Sequence, residues 1–130
     1  EGLQRFTYSL FVHQKEWYDA GIVQAAWNLN NPLTAAEGAV REEYRSMLTL
    51  HSDYVALDAF KKTEDGNSVL LRFHEFAGGM TALDCTFNAH AVCWYEADLM
   101  ENATGERHPG GHITAQLHPF EIYTVIMEMK

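Results

Sequence analysis

The strongest constraint on this chain is the spacing of its apolar runs after Ser46. Residues 47–50, 55–60, 69–75, 80–87, 92–99, 112–118 and 122–129 are short, apolar, and rich in β-branched and aromatic residues. Turn signals separate them: Glu64-Asp65-Gly66-Asn67, Gly78-Gly79, Asn88-Ala89-His90 and the glycine-rich stretch 105–111. Short strands at this spacing predict an antiparallel β-sandwich. Residues 5–12 read as a further strand, with Phe6, Tyr8 and Leu10 on one face, which brings the count to about eight. Residues 14–29 read as a helix with Trp17, Ile22, Ala26 and Leu29 along one stripe, weakened at Gly21 and ended by Asn30-Asn31-Pro32. Residues 34–45 are left open between loop and a short helix. The expected fold is all-β: an antiparallel sandwich of about eight strands with one helix near the N-terminus, forming a single domain over residues 1–130.

A chain of 130 residues with 47% apolar and 21% charged composition can bury a core without disulfide or metal staples. Its formal charge of −9 disfavours nucleic acid and anionic membrane as partners. No apolar stretch nears the roughly 20 residues a bilayer span needs, and no signal-peptide pattern is visible, so a cytoplasmic location is expected. The chain starts without Met and enters a strand pattern almost at once, which suggests a portion of a larger protein. Two cysteines, Cys85 and Cys93, exclude a disulfide scaffold and a four-cysteine zinc site. A hairpin turning on Asn88-Ala89-His90 would set Cys85 opposite Cys93; two free thiols are expected.

No catalytic motif stands out. His108 and His112 share helical i, i+4 spacing, but Pro109-Gly110-Gly111 lies between them and forbids the helix. There is no nucleophile elbow, and no metal site is expected in this chain. Trp17, Trp27 and Trp94 offer flat faces for a sugar-binding platform, set against the commoner use of Trp in cores. The strand at 69–75 raises the sharpest question, because Arg72, His74 and Glu75 crowd its end. Val69, Leu71 and Phe73 alternate with Leu70, Arg72 and His74, as expected of a strand with one wet face.

Several segments, in order, resemble one family. RFTYSLFVH (5–13), AWNLNNPL (26–33), LDAFKKTEDGNSVLLRFHEFAGG (57–79) and ADLMEN (97–102) followed by LHPFEIYTVIM (117–127) are similar to the C-terminal β-domain of glycoside hydrolase family 38, the α-mannosidases. Lys62, Glu64-Asp65-Gly66, Arg72, Glu75, Asp98-Leu99, Glu101 and Pro119-Phe120-Glu121-Ile122 fall in matching places. Phe73-His74 departs from the Leu-Tyr usual there. The resemblance implies a zinc-dependent retaining α-mannosidase as the parent protein. Its nucleophile, acid and zinc ligands would lie in preceding barrel and helical domains, so none is carried over to this chain. It implies a non-catalytic domain whose partners are the parent's catalytic domains and, through them, a mannoside substrate. Arg72, His74, Glu75 and Glu121 are then expected to form a structural or domain-interface network. Two other readings stay open: a free-standing carbohydrate-binding module, and an unrelated β-sandwich interaction domain.

Overall fold

The computed structural model describes residues 2–38 and 46–130. They fall into two compact units, one over residues 1–37 and the other over 38–130. Part of the segment left open between loop and helix, residues 39–45, lies outside the described residues.

In the first unit one helix forms, α1 (Ile22–Asn30), with turns before it at residues 17–21. The helix is shorter than the apolar stripe predicts. Gly21 sits at φ 75°, a left-handed conformation that a continuous right-handed helix cannot contain. The C-terminal stop is set by Asn side chains rather than by a left-handed cap. Asn31 has φ −125°, and both its backbone N–H (2.8 Å) and its Nδ2 (3.1 Å) donate to the Trp27 carbonyl. Residues 5–12, expected as a strand, form none. Alternation makes a segment fit for a sheet, but a strand exists only where a neighbour takes its backbone hydrogen bonds.

Among the described residues the second unit holds eight strands, all paired antiparallel: β1 (Leu48–Leu50), β2 (Val55–Lys62), β3 (Ser68–Glu75), β4 (Thr81–Phe87), β5 (Ala91–Ala97), β6 (His108–Pro109), β7 (His112–Leu117) and β8 (Ile122–Met129). Two sheets form, in the orders β1-β4-β7 and β2-β3-β8-β5-β6. The fold is therefore the all-β sandwich that the turn spacing predicts. The eighth strand is the two-residue β6 in place of residues 5–12. The core lies between the sheets. Leu83, Cys85, Phe87, Ile113 and Leu117 of the smaller sheet meet Val55, Leu71, Phe73, Trp94, Val125 and Met127 of the larger. β4 shows the cause plainly. Its residues 83, 85 and 87 are buried while 82, 84 and 86 are not, the period-2 pattern of a strand with one dry face.

The β4–β5 hairpin does not exist. β4 pairs with β1 and β7, whereas β5 pairs with β8 and β6, so residues 88–90 carry the chain from one sheet to the other. Cys85 lies opposite Leu50 and Ile113, and Cys93 opposite Glu128 and Pro109. Turn residues mark where a strand ends, but not which edge the chain joins next.

Both sulfurs are unbonded, in different surroundings. Burial in the core, with Asp84 adding repulsion, pushes the Cys85 thiol up to about 12. Burial and the Glu128 carboxylate also raise the Cys93 thiol, but Cys93 is only half-buried. A thiol reagent added to folded protein at pH 8 is expected to label Cys93 first and to reach Cys85 only on unfolding. Mass spectrometry of the labelled peptides checks this; equal labelling rates in the folded state would contradict the buried placement of Cys85.

Candidate functional site

The ionisable cluster at the end of β3 separates by face. Arg72 and His74 point away from the core, while Glu75 falls in step with Leu71 and Phe73 and points into it. Glu75 is 0% exposed. A buried carboxylate costs several kcal/mol unless its oxygens are filled, and here they are. Oε1 accepts from the backbone N–H groups of Ala77 (2.9 Å) and Gly79 (3.3 Å) and from the Thr81 hydroxyl (3.4 Å). Oε2 accepts from the N–H groups of Gly78 (2.9 Å) and Phe120 (2.9 Å). Burial alone would push this carboxyl up; the amides of Phe120, Gly78, Gly79 and Ala77 outweigh it and hold the group below the ordinary carboxylate range.

The same contacts explain the neighbouring backbone. Phe120 has φ 58°, unusual for a bulky residue, and its N–H is aimed at Glu75 Oε2. Its ring lies over Gly78, which is itself at φ 80°. A Cβ at Gly78 would sit 2.7 Å from the tip of the exposed Phe120 ring, which has room to shift, so it is the left-handed conformation that calls for glycine. Glu121 completes the turn. Its Oε2 accepts from the His118 N–H at 2.7 Å, and its carbonyl accepts from the Glu75 N–H at 3.0 Å. Glu75 and Glu121 thus meet through the backbone.

Arg72 and His74 do not join them. Arg72 Nε donates to Thr124 Oγ1 (3.2 Å) and its Nη2 to the Leu99 carbonyl (3.4 Å). His74 Nδ1 lies 2.8 Å from Asp58 and its ring meets Phe76 edge-on. This outer face is only partly wet, because Leu70 and Ile126 are buried on it. The loop at 98–105 folds back toward it. Asp98 accepts from the N–H groups of Met100 (2.8 Å) and Asn102 (2.9 Å) and from the Asn102 side chain (2.9 Å), which keeps its carboxyl low. Glu101, at φ 68°, then reaches Lys61 Nζ (2.8 Å) and the Glu64 N–H (2.8 Å), so that it clasps the β2–β3 turn. The lysine involved is Lys61, which shares the face of Leu70; Lys62 pairs with Val69, on the core-facing side.

The tryptophans divide. Trp94 is buried in the core, its Nε1 donating to the His112 carbonyl (2.9 Å) and its ring stacked on His108 at 4.3 Å. Trp17 and Trp27, in the first unit, line one open groove of about 460 Å³ with Ile22, Val23 and Ala26. Among the described residues no three His, Cys, Asp or Glu side chains cluster as metal ligands. The nearest arrangements are His74–Asp58 and His112–Asp84 (3.0 Å), two-member pairs that fall short of the three or four ligands zinc takes. Sequence reasoning missed Lys61, Asp98 as the organiser of its loop, and the paired roles of Gly78 and Phe120. The left-handed turns have no strong signature when a side chain other than Gly or Asn adopts them.

Replacing Glu75 by Gln would turn an NH₂ toward backbone donors and is expected to cost roughly 3 kcal/mol. The pH dependence has a fixed sign. A carboxyl whose folded pKa is depressed contributes stability above its unfolded value, about 4.3, and loses it as pH falls through the lower folded pKa. Urea midpoints measured from pH 7 to pH 2.5 should therefore fall less steeply at the acid end for Glu75→Gln than for the parent chain. Parallel acid limbs would show that Glu75 is not the ionised acceptor.

Comparison with known proteins agrees with this geometry. The model of the glycosyl hydrolases family 38 C-terminal beta sandwich domain matches residues 54–125, which include every strand from β2 to β7, the first half of β8, and the Glu75 cradle. The chain is 28% identical over 147 residues to alpha-mannosidase 2C1 of Mus musculus and 27% identical over 151 residues to that of Homo sapiens, each covering 99% of the chain. Alpha-mannosidase G of Dictyostelium discoideum is 24% identical across 95% of the chain. The chain spans only 12–13% of the length of these relatives. The chain belongs to the family 38 C-terminal β-sandwich domains of glycosyl hydrolases.

Proposed function

We propose that this chain is the non-catalytic C-terminal portion of an α-mannosidase, a zinc-dependent retaining glycoside hydrolase, and that it packs on the catalytic part and shapes substrate access. The observation that carries the reading is the commitment of four carboxylates, Glu75, Asp98, Glu101 and Asp65, to architecture. A retaining glycosidase needs two carboxyl groups about 5–5.5 Å apart, facing one sugar, with one acting as nucleophile and the other as acid. Glu75 faces inward onto backbone amides. Asp98 and Glu101 organise a loop, and Asp65 holds the β2–β3 turn through the Thr63 hydroxyl and Asn67. Among the described residues no side-chain cluster fits a zinc ion, so zinc and the chemistry would belong to the remaining length that the relatives carry. The partners on this reading are the catalytic domains of the same polypeptide and, through them, a mannoside.

The alternative of a carbohydrate-binding module draws its only support from the Trp17–Trp27 groove, whose lining is chiefly apolar. Trp94 is spent on the core.

The pure 130-residue chain is expected not to turn over an aryl α-mannoside, with or without added zinc, whereas a longer protein carrying this chain and the upstream sequence of its gene should hydrolyse it. Turnover by the chain alone, abolished by Glu75→Gln, would overturn the non-catalytic reading. An inactive longer protein that is folded and zinc-loaded would overturn the α-mannosidase reading.

A further inference from the structure

The first unit presents apolar surface that nothing within it satisfies. Not one of residues 2–38 is buried, and α1 contributes no buried side chain. Phe6, Tyr8, Leu10 and Val12 alternate along one segment and are 85–89% exposed. The other positions are Thr7, Ser9 and Phe11, and no charged residue interrupts the run between Arg5 and His13. Ordering a residue costs conformational entropy, which only burial or pairing can offset. An exposed apolar run of this kind marks an interaction site.

The comparisons locate its context. The family 38 C-terminal sandwich model begins at residue 54, yet the murine relative aligns with 99% of the chain. Residues 5–12 therefore belong to the stretch shared with the relatives while lying outside the sandwich domain itself. Those relatives are several times longer than this chain.

We infer that residues 5–12 are a strand of another sheet: they add by backbone pairing to a β-sheet in the part of the parent protein outside this chain, with Phe6, Tyr8, Leu10 and Val12 facing its core. The inference rests on the reading of the chain as a portion of a longer α-mannosidase. Period-2 alternation with β-branched and aromatic residues suits an added strand and does not suit a helix laid in a groove. A second copy of this chain is the weaker occupant, because two such segments make only a two-stranded ribbon, which is marginal in water. The open groove of Trp17, Ile22, Val23 and Trp27 lies on the same unit and provides further apolar surface for the same partner.

Hydrogen exchange read at single-amide resolution tests this on two proteins, the 130-residue chain and the longer protein from the same gene. In the chain alone, the amides of residues 6–12 are expected to exchange at near-unprotected rates at every chain concentration. In the longer protein they should slow by at least about a hundredfold, on alternate amides for an edge strand or on all for a central one. Equally fast exchange in both proteins overturns the inference, as does protection in the chain alone that rises with its concentration, which would assign the partner to a second copy. Mannoside hydrolysis by the longer protein is scored separately. Hydrolysis with an unprotected segment sinks only the strand, and protection without hydrolysis sinks only the α-mannosidase reading.

Discussion

A carboxylate removed from water must be given hydrogen-bond donors or it will not stay ionised, and the end of this sandwich is built around that requirement at Glu75. Its donors come from three places: the turn after β3, the start of β4, and the turn between β7 and β8. β3 and β8 lie in the five-stranded sheet, β4 and β7 in the three-stranded one. One side chain therefore fixes the connections between the two layers at this end. It also goes with the local backbone, since Gly78 takes a left-handed conformation that suits glycine and Phe120 turns left-handed with its N–H on the carboxylate. The hydrophobic contacts between the sheets are non-directional and tolerate sliding; a carboxylate with five fixed donors does not.

The outer face follows a second, weaker logic. Leu70 and Ile126 are buried there, away from the main core, and the 98–105 loop is drawn toward that face by Arg72, Lys61 and the Glu64 N–H. Lys61 is exposed, so solvent screens its attraction to the more buried Glu101, and the clasp directs the loop more than it stabilises the fold. At the other edge Arg107 grips Glu128 with two contacts, 2.6 and 2.7 Å, beside Cys93 and over the Tyr95 ring. Tyr123, whose hydroxyl is pushed up by burial and by its 2.6 Å bond to Glu96, is a half-buried polar group with its partner supplied. Across the sandwich, the shifted carboxylates are held low by hydrogen-bond partners, whereas the thiols and tyrosines are raised chiefly by burial.

Much of this was legible in the residues and some was not, for identifiable reasons. The seven strands after Ser46 announce themselves because strand length, alternation and turn chemistry agree. β6 is two residues long, too short for any periodicity. Residues 5–12 have the pattern of a strand but lack a partner in this unit, and pairing is a tertiary property. The Cys85–Cys93 register failed because Asn88-Ala89-His90 signals a turn equally well within a sheet and between sheets. The family 38 resemblance, carried by ordered weak motifs, was sound where the domain match lies. Glu75 was visible as a member of the Arg72-Phe73-His74-Glu75 run, and alternation places it beside Phe73. Its donors were invisible, because backbone amides have no residue type. Grouping it with Arg72 and His74 followed sequence proximity, whereas a strand sends neighbours to opposite faces.

The account turns on Glu75 being an ionised structural acceptor rather than an acid tuned for proton transfer. Those roles demand opposite shifts: a catalytic acid is raised toward neutrality, and a carboxylate filled by amides is lowered. The direct measurement is the carbon-13 shift of the Glu75 side-chain carboxyl followed by NMR from pH 7 to the acid limit of the folded state. A midpoint below the ordinary value of about 4.3 is predicted, with the Phe120 and Gly78 amide protons shifting in step. A midpoint at or above that value would contradict the account.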